Sequence, residues 1–130
     1  MKYLLDTDIA SYAINGNQKV LAKLKAHIGD SAISSITYHE LVRGLMNCKN
    51  SNKELLIAKF LEDVAVASIS SSDALETGRL SYILQKAGKP IGEFDTLIAA
   101  HALSLKTILV TNNEKHFSKV KELKLENWMK

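Results

Sequence analysis

The stretch Thr107-Ile108-Leu109-Val110-Thr111-Asn112-Asn113 decides the fold class. Its first four residues are β-prone and mostly apolar, and polar turn residues end the run abruptly, which predicts a short buried strand. The amino terminus repeats the pattern, because Lys2-Tyr3-Leu4-Leu5 stops at Asp6. Short, continuously apolar strands of this kind are typical of a parallel sheet that is buried on both faces.

Further elements alternate along the chain between these two segments. Ser31–Ser34 and Val64–Ala67 read as additional strands. Helices are predicted from apolar residues at helical spacing, with Thr37 as a candidate N-cap. Their apolar or capping positions are Ile9–Ile14; Val20, Leu21, Leu24 and Ile28; Leu41, Val42, Leu45 and Met46; Leu55, Leu56, Ile57, Phe60 and Leu61; Ser70–Gly88; and Phe94, Leu97, Ile98, His101 and Leu105. This alternation predicts one α/β domain over 1–130, with helices on both faces of a mostly parallel sheet.

Composition fits an ordinary globular domain of 130 residues, with 46% hydrophobic and 24% charged residues. No apolar run approaches the ~20 residues needed to cross a bilayer, and the amino terminus lacks a signal-peptide pattern. A single cysteine, Cys48, excludes an internal disulfide and a cysteine zinc cluster. We therefore expect a cytoplasmic protein with no membrane partner. The net charge of +3 suits a polyanionic partner but equally describes a solvated basic surface.

Three acids are placed where such sheets bind ligands, outside the carboxyl ends of the strands. Asp6 directly follows the first strand, and Asp95 lies at the entry of the helix that begins near Phe94. Glu40 falls in about the first turn of the helix after the second strand. Strand ends and helix starts share one rim, so these residues can converge although they are distant in sequence.

Each acid also has a plainer explanation. Asp6 could only cap a helix, Asp95 could only face a helix dipole, and Glu40 could pair with Arg43. Other chemistries lack their motifs, because the chain has no phosphate-binding glycine loop and no G-x-S-x-G elbow. The histidines show no ligand spacing, and His101 reads as a satisfied core or boundary residue. Carboxylates without a histidine or cysteine cluster favour Mg²⁺ or Mn²⁺.

Four segments, taken in order, carry a resemblance to a known family. They are Leu4–Asp8, Ile36–Gly44, Gly92–Ala102 and Leu109–Asn113. Together they resemble the PIN-domain family, and within it the VapC-type toxins of bacterial toxin–antitoxin systems. The closing segment Leu123–Trp128 is also similar to the usual end of those toxins, so the resemblance spans the whole chain.

The resemblance implies a three-layer α/β/α sandwich and a metal-dependent endoribonuclease. It implies that Asp6, Glu40 and Asp95 hold one or two Mg²⁺ ions, for which Mn²⁺ would substitute, and that a water activated by the ion attacks phosphorus. It further implies a homodimer that is inhibited by a cognate VapB-type antitoxin. The chain is most similar to the branch that cuts the anticodon loop of initiator tRNA, which makes tRNA the expected RNA substrate.

Several positions depart from the family pattern. Asp8 stands where asparagine is usual, and Asn113 and His116 stand where a fourth acid is usual, with Glu114 as the nearest acid. A second metal is therefore expected to be weak, with Thr111 and Asn113 supporting the site through neutral oxygens and hydrogen bonds. Two alternatives stay open: a PIN-like module that binds RNA or protein without cutting, and a metal-dependent phosphoryl reaction on DNA or a small phosphate ester.

Overall fold

The computed structural model describes residues 1–48 and 52–130. Within those ranges five strands and seven helices alternate along the chain. The strands are β1 (Tyr3–Leu5), β2 (Ser31–Ser34), β3 (Ala65–Ala67), β4 (Ile108–Val110) and β5 (Leu125–Glu126). The helices are α1 (Thr7–Ile14), α2 (Gln18–Ala26), α3 (Ser35–Met46), α4 (Asn52–Asp63), α5 (Ser71–Lys86), α6 (Glu93–Leu105) and α7 (Glu114–Phe117).

The strands form one parallel sheet in the order β3-β2-β1-β4-β5. The chain first moves outward from β1 to β3 and then returns to the other side of β1, so the strand order reverses beside β1. The register aligns Leu5 with Ile33 on one side and with Val110 on the other. The residues that follow these three therefore emerge together at the reversal point, where open α/β sheets bind ligands.

Alternation along the strands divides the interior into two apolar cores. Tyr3 and Leu5 face a core completed by α1, α2 and α4, whereas Leu4 faces a core completed by α5 and α6. Leu4 and Leu5 are fully buried. The predicted three-layer arrangement, with helices on both faces of the sheet, is confirmed.

The predicted elements are confirmed except in a few local details. The N-cap of α3 is Ser34, not Thr37, which is buried inside the helix. This earlier start places Glu40 in the second turn instead of the first. Strand β5 was not predicted, because two residues are too short to show a pattern.

Two expected core positions on α3 are wrong. Val42 is 37% exposed and Met46 is 79% exposed, while Leu41 alone of the predicted apolar set is fully inside the core. On α6, Phe94 was expected to share the buried face with Ile98, yet it is 40% exposed. No helix among residues 1–48 and 52–130 has the length and hydropathy to cross a membrane.

His101 is a core residue of α6, as expected, but it is only half satisfied. Its Nδ1 lies 3.0 Å from Ser34 Oγ. Its Nε2 makes no hydrogen bond within the described residues and lies 3.7 Å from Asp73 Oδ2. Burial lowers the pKa of His101, and the charge of Asp73 opposes this shift.

Candidate active site

Asp6 is the central carboxylate of the rim and is held on both of its oxygens. It ends β1 and caps α1, where Oδ1 accepts a hydrogen bond of 2.8 Å from the Thr7 backbone N–H. The Thr111 hydroxyl donates to Oδ2 at 2.8 Å. This contact follows from the register, because Asp6 and Thr111 directly succeed the paired residues Leu5 and Val110.

Glu40 reaches the same rim from α3 through Thr7. The Thr7 hydroxyl donates to Glu40 Oε1 at 2.7 Å and lies 3.1 Å from the hydroxyl of buried Thr37. Thr7 thus fixes one oxygen of Glu40 beside the first turn of α1. The sequence predicted Thr37 only as a helix cap and did not predict the contact of Thr7 with Glu40. The signal for Thr7 was its position between two acids that follow a strand.

Asp8 adds a further carboxylate close to Asp6, as its position suggested. Its Oδ1 accepts from the Ile9 backbone N–H at 2.7 Å, and its Oδ2 accepts from the Asn112 backbone N–H at 3.1 Å. These bonds tie the start of α1 to the turn after β4. Asp8 is therefore fixed in place and contributes its charge to the rim.

Asp95 lies in the first turn of α6 and is partly exposed. Its Oδ2 lies 3.3 Å from His116 Nδ1, which in turn lies 2.9 Å from Asn113 Nδ2. His116 thus joins the start of α6 to the turn after β4. The backbone N–H of Asn113 donates to the Thr111 hydroxyl at 3.0 Å, so Asn113 also helps to orient Thr111.

Glu114 is engaged elsewhere and does not replace the missing acid. Its Oε2 accepts a hydrogen bond of 3.0 Å from Asn127 Nδ2 and pairs with Lys130 Nζ at 2.7 Å. These contacts lower the pKa of Glu114. Glu114 is therefore an ion-paired carboxylate that belongs to the carboxyl-terminal segment.

Burial raises the pKa of three acids of the rim, and neighbouring acids add to this rise for Asp6 and Asp95. Burial, with the charge of Asp8 and a smaller contribution from Asp95, raises the pKa of Asp6 from 3.8 to about 7 against the hydrogen bonds from Thr111 and Thr7. Burial also raises the pKa of Asp95. The nearby charge of His116 lowers this pKa, whereas the charges of Glu40 and Asp8 raise it further. The pKa of Asp8 is raised by burial as well. The structure thus brings Asp6, Asp8, Glu40 and Asp95 into one electrostatically coupled group.

The donor set fits a hard divalent cation. A positive ion would offset the burial and the repulsion from Asp8 that raise the pKa of Asp6. Carboxylate oxygens are the ligands that Mg²⁺ prefers. Among residues 1–48 and 52–130, no three histidine, cysteine, aspartate or glutamate side chains are grouped so that they could hold a metal ion together. Mg²⁺ usually binds through one or two carboxylates and completes its octahedron with waters and substrate phosphate, so a closed protein cage is not required.

Thr111 offers a test of this arrangement. The change Thr111→Val keeps the shape but removes the hydrogen bond to Asp6 Oδ2, so we expect activity or metal affinity to fall roughly 10-fold to 100-fold. Thr107→Val is the matched control, because Thr107 is also buried and its hydroxyl donates to the Ala102 carbonyl at 3.2 Å, away from the acids. Equal losses in the two variants, measured by metal titration and urea unfolding, would contradict a specific role for Thr111.

Comparison with known proteins assigns the chain to a family. The sequence model of the family described as "PIN domain" matches residues 3–123. The chain belongs to the PIN-domain family. The family expectation for this fold, and the resemblance of the four ordered segments, are thereby confirmed.

Full-length relatives carry VapC names. "Ribonuclease VapC1" of Haemophilus influenzae (strain R2866) is 34% identical over 134 residues, covering 100% of both chains. "tRNA(fMet)-specific endonuclease VapC" of Shigella flexneri is 33% identical over 130 residues, covering 98% of each. Among solved PIN-domain structures, VapBC2 from Rickettsia felis bound to a DNA fragment from its promoter superposes with a TM-score of 0.91 at 34% identity, covering 98% of this chain and 99% of that chain.

Proposed function

We propose that this PIN-domain protein is a magnesium-dependent endoribonuclease in which Asp6, Glu40 and Asp95 form the metal site. The observation that carries the proposal is the coupled acid group at the reversal point of the sheet, where the pKa of buried Asp6 rises to about 7. A buried carboxylate is costly unless a partner compensates its charge. The ribonuclease and endonuclease names of the full-length relatives support RNA as the substrate.

The residues of the chain have separable roles in this proposal. Asp6 and Asp95 would bind the ion directly, because Asp6 is fixed on both oxygens and Asp95 lies at the mouth of the cleft. Glu40 has one oxygen held by Thr7, which leaves the other to complete the ligand set or to orient the attacking water. When bound, a divalent ion supplies Lewis-acid activation of water and neutralises phosphate charge.

A metal titration tests this proposal. Cleavage of RNA is expected to be absent in excess EDTA, to return with added Mg²⁺, and to return with Mn²⁺ in its place. Parallel assays with DNA and p-nitrophenyl phosphate test the alternative of another phosphoryl reaction. Cleavage that persists in EDTA contradicts the metal site, whereas RNA binding without cleavage at any metal concentration supports the alternative of a PIN-like binding module.

We further propose that the protein is the toxin of a VapBC-type toxin–antitoxin system, acting in the cytoplasm as a homodimer and silenced by a VapB-type partner. The similarity to VapBC2, which was solved bound to a DNA fragment from its promoter, supports a VapB-type partner. The similarity to a tRNA(fMet)-specific endonuclease supports initiator tRNA as the substrate. The anticodon loop is the proposed cut site because single-stranded loops are the usual target of proteins that recognise RNA sequence, and the relative's name restricts the substrate but not the position.

Expression in bacteria tests the toxin proposal. The wild-type chain expressed alone is expected to stop growth, and co-expression of the small protein encoded beside it is expected to restore growth. Asp95→Asn expressed at the same level serves as the control and is expected to be harmless. Sequencing of RNA ends after brief induction identifies the cut, and ends outside initiator tRNA would overturn that substrate while leaving the nuclease activity intact. Normal growth with folded wild-type protein would overturn the toxin role.

A further inference from the structure

An exposed aromatic pair flanks the acid cleft and has no role in either core. Phe94 directly precedes Asp95 on α6, and His39 directly precedes Glu40 on α3. Their ring centroids lie 6.1 Å apart with planes inclined by 73°, so the rings form a corner instead of a closed stack. Phe94 keeps 40% of its surface exposed, and His39 is exposed as well. The two rings are therefore available to contact a ligand that enters the acid groove.

The groove beside this pair selects the part of RNA that could enter it. It has a volume of about 380 Å³ and is lined by Glu40, Ile91, Gly92, Glu93, Phe94 and Asp95. Its acidic side chains would repel a phosphate that is not neutralised by a cation, so the uncharged portion of a nucleotide suits it better. Unpaired bases are commonly held by stacking on aromatic rings in proteins that bind single-stranded RNA.

We infer that Phe94, with His39 at its edge, is a stacking subsite for an unpaired base adjacent to the scissile phosphate. This inference rests on the proposed ribonuclease function and adds a residue that selects unpaired RNA. Phe94 and Glu40 line the same groove. A base stacked on Phe94 would therefore lie next to the bond to be cut. Duplex RNA, whose bases are already stacked, cannot supply this contact.

Binding of fluorescent RNA with Mg²⁺ in an Asp95→Asn background, where cleavage is expected to be lost, tests the subsite without cleavage. The probe is a set of short single-stranded oligoribonucleotides with 2-aminopurine at each position in turn. With Phe94 in place, one position is expected to show strong quenching, because stacking suppresses 2-aminopurine fluorescence. Phe94→Ala should lose that quenching and weaken binding roughly 10-fold to 100-fold, whereas the aromatic Phe94→Tyr should retain both.

Two further variants separate stacking from general surface effects. Phe94→Leu keeps an apolar side chain without a ring and is expected to behave like the alanine variant. Tyr82→Leu is the matched control, because Tyr82 is 61% exposed on α5 and does not line the acid groove. Because Phe94 is largely outside the core, circular dichroism should show all variants folded.

The outcomes distinguish this inference from the proposed function. Position-specific quenching that is lost in Phe94→Ala supports the subsite even if Mg²⁺ produces no cleavage. Normal cleavage with unchanged binding in Phe94→Ala and Phe94→Leu overturns the subsite while leaving the nuclease in place. Variants that bind RNA normally but no longer bind the antitoxin assign the surface to the protein partner and also overturn the inference.

Discussion

Asp95→Asn is expected to abolish RNA cleavage, with a loss on the order of 10²–10³-fold or more, while the protein remains folded. The change is nearly isosteric and removes the negative charge from the mouth of the acid cleft. Asp95 is partly exposed and its pKa is raised on folding, chiefly by burial, so removal of its charge should not destabilise the protein. The loss of activity should therefore greatly exceed any effect on unfolding.

Glu114→Gln provides the control for this experiment. Glu114 lies on the same side of the sheet, but Asn127 and Lys130 engage its carboxylate. Its neutralisation should leave the cleavage rate within a few fold of the wild type. Initial rates on RNA at saturating Mg²⁺, together with thermal unfolding curves, check both variants. A folded Asp95→Asn protein that cuts at the original rate would refute the assignment of the site.

Asp6→Asn is expected to make the metal-free protein more stable above pH 7, although it removes the central carboxylate. Asp6 is buried and its pKa rises from 3.8 to about 7 on folding. A carboxyl whose pKa is raised by folding contributes its full stability below pH 3.8 and loses it as the pH rises through 7. Asparagine carries no charge to bury and caps helices about as well as aspartate. At alkaline pH the free energy of unfolding of the variant should therefore exceed that of the wild type by on the order of 2–4 kcal/mol.

Urea unfolding at a series of pH values checks this expectation. The two proteins should be similarly stable near pH 4, and the variant should gain its advantage as the pH approaches and passes 7. Addition of Mg²⁺ should stabilise the wild type but not the variant. A ligand raises the free energy of unfolding only of a protein whose folded state binds it. A variant that is less stable than the metal-free wild type at every pH would show that the charge of Asp6 is compensated within the chain.

Asp73→Asn serves as a control of opposite sign. Burial alone would raise the pKa of Asp73. Hydrogen bonds from Ser104 and Ser70, together with the charge of His101, outweigh burial, so the pKa of Asp73 is lowered. A lowered pKa contributes stability above the unfolded value and loses it as the pH falls. Its neutralisation should therefore destabilise the protein at neutral pH, where the capping box of α5 depends on the carboxylate.

The sequence predicted the backbone better than the contacts between side chains. Strand endings at Leu5 and Val110 marked the rim, because a buried parallel strand cannot continue through polar residues. The parallel register then made the approach of Asp6 to Thr111 foreseeable. Nothing in local sequence indicated that Thr7 would bridge to Glu40, since the two residues meet only through the packing of α1 against α3.

The departures from the family pattern show the same limit. Asn113 and His116 were recognisable as replacements for an acid, but the contact of His116 with Asp95 depends on the geometry of the turn after β4. Phe94 fits the helical periodicity of a core position, but it lies in the first turn of α6 and keeps 40% of its surface exposed. Periodicity reports which face of a helix is apolar, not how far along the helix its neighbour extends.

The central position of β1 makes the assembly of the acid site depend on a distant part of the chain. Strand β1 lies between β2 and β4, and β4 begins only at Ile108. A nascent chain that has not yet released that segment lacks both Thr111 and a neighbour on one side of Asp6. Synthesis must therefore continue past Thr111 before the acid site can assemble, and fragments that end before β4 are expected not to cleave RNA.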